Sequence, residues 1–154
     1  MARGLSKAGE REVTSAAVDW LVSRGWVVVA RALPRGGHGV ALRPGRGHAR
    51  GGRRCLLRGT WIPDVVAVRD KEVLLLESKP ALSQRDLAKL ERARAGAYDR
   101  AIAAAVRFAP ARVVLAVALR AENFNGPLAD RARAVCDLVL LVSRCSCQAV
   151  HERR

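Results

Sequence analysis

The run Trp61-Ile62-Pro63-Asp64-Val65-Val66-Ala67-Val68-Arg69-Asp70-Lys71-Glu72-Val73-Leu74-Leu75-Leu76-Glu77-Ser78-Lys79 decides the fold. Two stretches rich in branched aliphatic residues, Trp61 to Val68 and Glu72 to Lys79, flank the turn residues Arg69, Asp70 and Lys71, which is the signature of an antiparallel hairpin. If Asp70 and Lys71 are the two central turn residues, Asp64 stands directly opposite Glu77, with Cβ atoms about 5 Å apart on one face. Strand alternation places Lys79 on the same side as Glu77 and turns Ser78 away.

Outward from the hairpin, the spacing of Val13, Ala16, Ala17, Trp20 and Leu21 predicts an amphipathic helix over Lys7 to Ser23, with Ser6 as N-cap and Gly25 as its stop. Trp26 to Leu33 reads as an interior strand ending at Pro34. Downstream, Ser83 N-caps a long helix whose apolar stripe runs from Leu87 through Leu90, Ala93, Ala97, Ala101 and Ala104 to Phe108, ending before Pro110. Arg112 to Leu119 is a buried strand, Pro127 to Val135 a short helix, Leu138 to Val142 a last strand, and Ser143 to Arg154 a polar tail. The order α-β-β-β-α-β plus an added C-terminal αβ pair predicts one α/β domain over residues 1–154: a mixed sheet flanked on both faces by helices.

Residues 34–60 break this pattern, with seven arginines, eight glycines, two histidines and no acid. Such a stretch builds no core and reads as a flexible Arg/Gly-rich loop. Its arginines Arg35, Arg43, Arg46, Arg50, Arg53, Arg54 and Arg58 are candidate phosphate contacts, joined by Gln84 and Lys89 off the apolar stripe of the long helix. The whole chain of 154 residues carries a formal charge of +14, which predicts a polyanionic partner and favours nucleic acid. No apolar run spans a bilayer and the N-terminal residues are polar, so a soluble cytoplasmic protein without a membrane partner is expected. The scarcity of Asn and Gln suits a thermophilic prokaryote. Cys55, Cys136, Cys145 and Cys147 lack paired zinc-ribbon spacing and are read as packing residues, and His38 and His48 are set aside as catalytic candidates.

Two carboxylates at hairpin distance repel, and the pair makes sense with a cation between them. Mg²⁺, with Mn²⁺ as a substitute, suits Asp64 and Glu77 with the backbone carbonyl of Ser78, because it takes a few protein oxygens and completes its shell with water and phosphate. Lys79 then reaches a phosphate held there, stabilising developing charge or orienting the attacking water. Such an ion acidifies water and neutralises phosphate charge, both of which phosphodiester hydrolysis needs.

Pro63-Asp64, followed after twelve residues by Glu77-Ser78-Lys79, resembles the PD-(D/E)xK signature of restriction-endonuclease-like nucleases. The expected element order is similar to that family's core, and the resemblance covers about Leu5 to Leu119. It implies a metal-dependent DNA endonuclease leaving 5′-phosphate and 3′-hydroxyl ends. It also implies a glutamate of the first helix as an outer metal ligand; of Glu10 and Glu12, Glu10 shares the stripe of Val13 and Ala17 and is chosen. The segment Gly9 to Glu12, the run Gly25 to Ala32 and the flexible loop before Pro63-Asp64 resemble archaeal Holliday junction resolvases. That likeness implies a structure-specific enzyme of DNA repair or recombination, with a homodimer to act on two strands. A restriction-type endonuclease and a non-catalytic DNA-binding module on the same fold are the alternatives.

Overall fold

The computed structural model describes residues 3–32, 39–45, 59–144 and 146–154, with side chains from Gly9 onward. In chain order the elements are α1 (Arg3–Ser23), β1 (Val27–Arg31), β2 (Val65–Arg69), β3 (Glu72–Lys79), α2 (Gln84–Arg94), α3 (Asp99–Val106), β4 (Arg112–Arg120), α4 (Gly126–Val135), β5 (Leu138–Val142) and β6 (Cys147–Glu152), with a 3-10 turn at Ala121–Asn123. They form an α/β fold around one six-stranded mixed sheet in the order β1-β2-β3-β4-β5-β6. The hairpins β2–β3 and β5–β6 and the pair β1–β2 are antiparallel, whereas β3–β4 and β4–β5 are parallel. Each parallel pair is joined by a helical crossover, as strands running in one direction require.

The hairpin register follows the expected arithmetic, with Val65 opposite Leu76 and Arg69 opposite Glu72. Asp70 takes a left-handed conformation, φ 52°, which Asp tolerates better than most residues. Val73 to Ser78 are buried without interruption, the mark of a strand covered on both faces. On one face α1 lays Val13, Ala17 and Leu21 against Leu74, Leu76, Val114, Ala116 and Ala118. On the other, Leu87, Leu90, Tyr98 and Ile102 pack with Val73, Leu75, Leu115, Val117 and Val139. Burying each such Leu or Ile contributes about 1.5–3 kcal/mol relative to leaving it in water.

Several expected boundaries differ. The first helix begins at Arg3, so Ser6 lies within it instead of capping it. The strand expected from Trp26 runs only over Val27–Arg31 and lies at the sheet edge, with Val27 and Val29 exposed, because β2 is its single neighbour. β2 starts at Val65, and Trp61 instead forms an isolated bridge with Leu42. The long helix is two: α2 ends at Arg94 and α3 starts at Asp99, around Gly96 at φ +85°. The break buries Tyr98, 1% exposed, at a level where the expected stripe carried only alanines. The polar tail contains β6, which turns Cys147 and Ala149 toward the α1 core and Gln148, Val150 and Glu152 outward. The C-terminal addition is therefore an αββ unit.

Cys136 is a buried free thiol pushed up to about 12 by burial and the neighbouring Asp137 carboxylate, and Cys147 is a half-buried free thiol. Cys55, Cys145, His38 and His48 lie outside the described residues. Among the described residues no helix is long and apolar enough to cross a membrane.

Candidate active site

Beyond Val65 the β2 side of β3 is continued by a side chain. The Asp64 carboxylate takes up the β3 backbone there, Oδ2 accepting the N–H of Ser78 at 2.7 Å and its hydroxyl at 3.2 Å. The Ser78 hydroxyl faces α1 and meets Thr14 Oγ1 at 2.5 Å, while Thr14 donates back to the Glu10 carbonyl at 2.8 Å. Ser78 thus faces away from Glu77, as alternation requires, and locks α1 to the strand end.

Glu77 points to the opposite face and is only 3% exposed. Its Oε2 accepts the Trp61 indole N–H at 2.9 Å, and its Oε1 lies 3.4 Å from Lys89 Nζ and 3.8 Å from Lys79 Nζ. Lys89 stands one helical turn past Asp86, whose carboxylate is 3.9 Å away. Asp86 is buried and closes a capping box with Ser83 at the start of α2. Lys79, at the strand end, reaches around the sheet to Glu10 Oε1 at 2.8 Å.

Burial raises the Asp64 carboxyl above its ordinary 3.8; the Ser78 N–H and the Lys79 charge pull it down, and Glu10 adds to the rise. Glu77 is raised above 4.5 by burial and then by the Asp64 charge, against the Trp61 bond and the two lysines. For Lys79 burial works against the charge, yet the bond to Glu10 and the charges of Glu77 and Asp64 hold the ammonium above 10.5. In a chain of net charge +14, this strand end gathers the carboxylates of Glu10, Asp64, Glu77 and Asp86 around the ammonium groups of Lys79 and Lys89. Among the described residues these four carboxylates exceed the two ammonium groups by the charge of one divalent cation.

The donor set fits a hard cation. All the candidate ligands are oxygens, and no hydrogen bond among the described residues reaches Asp64 Oδ1. Among the described residues no group of three or more His, Cys, Asp or Glu side chains converges tightly enough to hold a metal ion unaided. The protein contribution would be the pair Asp64 and Glu77, with water and substrate oxygens completing the shell, as magnesium sites commonly do.

The structure therefore brings Asp64, Glu77, Ser78, Lys79 and Glu10 to one end of the sheet. It also draws in Lys89, read from sequence as a phosphate contact, as a direct neighbour of Glu77. Gln84 instead accepts from Arg131 at 2.8 Å and ties α2 to α4. Arg43 is exposed beside Leu42, whereas Arg35, Arg46, Arg50, Arg53, Arg54 and Arg58 lie outside the described residues. Trp61 and Asp86 escaped sequence reading. The Asp86 role was signalled by its position three residues after Ser83; for Trp61, far from Glu77 in sequence and outside any strand, no local signal existed. Compared with known proteins, the sequence matches no family model and no curated protein.

Proposed function

We propose that the protein is a metal-dependent deoxyribonuclease with a restriction-endonuclease-like core, hydrolysing phosphodiester bonds with Asp64, Glu77 and Lys79. The observation that carries this reading is the local shortage of positive charge: among the described residues four carboxylates, two of them buried, meet two ammonium groups in a chain otherwise overloaded with cations. Mg²⁺ or Mn²⁺, when bound, would supply the Lewis acidity and charge neutralisation that phosphate ester hydrolysis needs. Glu77 presents its oxygens from β3 and Asp64 from the residue before β2, and the backbone N–H of Ser78 fixes the Asp64 orientation. Lys79 offers a proton-bearing ammonium at the same strand end, placed to hold a phosphate oxygen or the attacking water. Glu10 keeps that ammonium charged and turned inward. The arginines of residues 34–60 hold the DNA backbone, and a homodimer serves two strands of a branched substrate.

The decisive experiment is a cleavage panel over four-way junction, flap, duplex and single-stranded DNA with titrated Mg²⁺ and Mn²⁺. Wild type is expected to cut at least one substrate, and Glu77→Ala or Lys79→Ala to lose on the order of 10²-fold or more in rate while retaining DNA binding. A second reading, a non-catalytic DNA-binding module, draws on Lys89, whose ammonium already neutralises part of the Glu77 charge. Binding to every substrate with no cleavage in either metal would establish it instead.

A further inference from the structure

A buried indole N–H must find an acceptor, and a backbone carbonyl is the common choice. Trp61 is 1% exposed and gives its N–H to a carboxylate oxygen, Glu77 Oε2, at 2.9 Å. The residue that carries the indole is held at two further points. Its backbone pairs with Leu42 in both directions, at 2.7 and 2.9 Å. Its ring packs against Tyr98, centroids 5.7 Å apart at 56°. Tyr98 is fixed in turn by its hydroxyl on the Gly59 carbonyl at 2.6 Å. A glutamate side chain with one oxygen pinned to so rigid a group keeps one orientation, and the other oxygen, Oε1, is the one turned toward Lys79 and Lys89.

We propose that Trp61 is a positioning residue for the cation site: it holds Oε2 so that Oε1 of Glu77 is presented to a divalent ion shared with Asp64. The inference rests on the reading of Asp64 and Glu77 as cation ligands. Outer hydrogen-bond partners of metal ligands commonly carry 10–100-fold in metal affinity, because without them the ligand must give up rotamer freedom on binding. Phenylalanine at this position keeps an aromatic ring against Tyr98 and removes only the donor.

The test is Mn²⁺ binding to the full chain, followed by electron paramagnetic resonance of the free ion, for wild type, Trp61→Phe and the double variant Asp64→Asn/Glu77→Gln. The expected result is tight binding by wild type, loss in the double variant, and at least about tenfold weaker binding in Trp61→Phe with DNA affinity unchanged. A Trp61→Phe protein that melts lower but binds Mn²⁺ like wild type overturns the positioning role and leaves the nuclease reading standing. Wild-type binding no tighter than that of the double variant overturns both. Should Trp61→Phe fail to fold, the wild-type indole ¹H–¹⁵N signals decide. Of the three tryptophans, Trp20 and Trp26 line a cavity of about 100 Å³ with Arg112 and Asp137, at the opposite end of β4. A single indole signal is therefore expected to shift on Mg²⁺ addition, and that shift to vanish in Glu77→Gln. No shift in any of them overturns the proposal.

Discussion

Burial sets the proton affinity of Asp64 and Glu77, and with it a pH signature. Both carboxyls are held above their ordinary values of 3.8 and 4.5 in the fold, so the folded chain binds these protons more tightly than the unfolded one. Stability from this pair is accordingly greatest at acid pH and is lost as pH rises through each elevated value. Ionised, the two carboxylates are charges held partly out of water. Asp64→Asn/Glu77→Gln should then melt about 2–4 °C above wild type at pH 7.5, with the gap closing toward pH 4, and Mg²⁺ should raise the melting point of wild type alone. Thermal melts across pH check this, and a gap that widens in acid would refute it. These side chains were legible because a two-residue turn fixes which residues face each other across a hairpin. Trp61 was not, nor was the pairing of Lys89 with Glu77, since a contact across 16 residues from a non-strand segment, or one set by the rotation of a helix about its axis, depends on packing that no local pattern encodes.

At the scale of elements, what fastens the helical layer to the sheet is a buried carboxylate far from the site. Asp137, 3% exposed, accepts the Leu115 N–H at 2.9 Å and Arg94 Nη2 at 2.7 Å, and its own carbonyl accepts the Arg153 N–H at 2.7 Å. It therefore joins the end of α2, the start of β4 and the C-terminal end of the chain. Asp137→Ala leaves a buried N–H without an acceptor and frees Arg94, which can still reach water. The expected cost is about 2–3 kcal/mol, below the 3–5 kcal/mol of a fully enclosed pair. Calorimetry should show a fall of roughly 5–10 °C, and a change under 2 °C would rule out the clasp. The succession of β1 to β5 along the chain and the hairpin were readable from β-branched runs and turn residues. The α2–α3 break was not, because one glycine inside a continuous alanine stripe is also tolerated within a helix, and Tyr98 declares its burial only through Trp61 and Gly59. β6 was missed because its inward residues, Cys147 and Ala149, are too small to mark an apolar face.

For the whole molecule, net charge governs how any polyanion is met. A chain of +14 whose residues 34–60 hold seven arginines and no acid should bind DNA with a steep salt dependence. The slope of log K against log salt is expected at about −5 or steeper, and replacing Arg46, Arg50, Arg53 and Arg54 by alanine should reduce its magnitude by about 3–4, near 0.9 for each phosphate left unneutralised. Fluorescence anisotropy between 50 and 200 mM salt, conditions where such ion pairs change affinity by about 10³-fold or more, measures both. An unchanged slope in the fourfold variant would assign the binding to other basic surfaces.

The strand that carries Glu77 and Lys79 is third of six, with β1 and β2 on one flank and β4, β5 and β6 on the other. Fraying that begins at either rim must travel through neighbouring ladders before it loosens this backbone. Thermal breathing is therefore expected to spend itself on the margins before it reaches the body of β3.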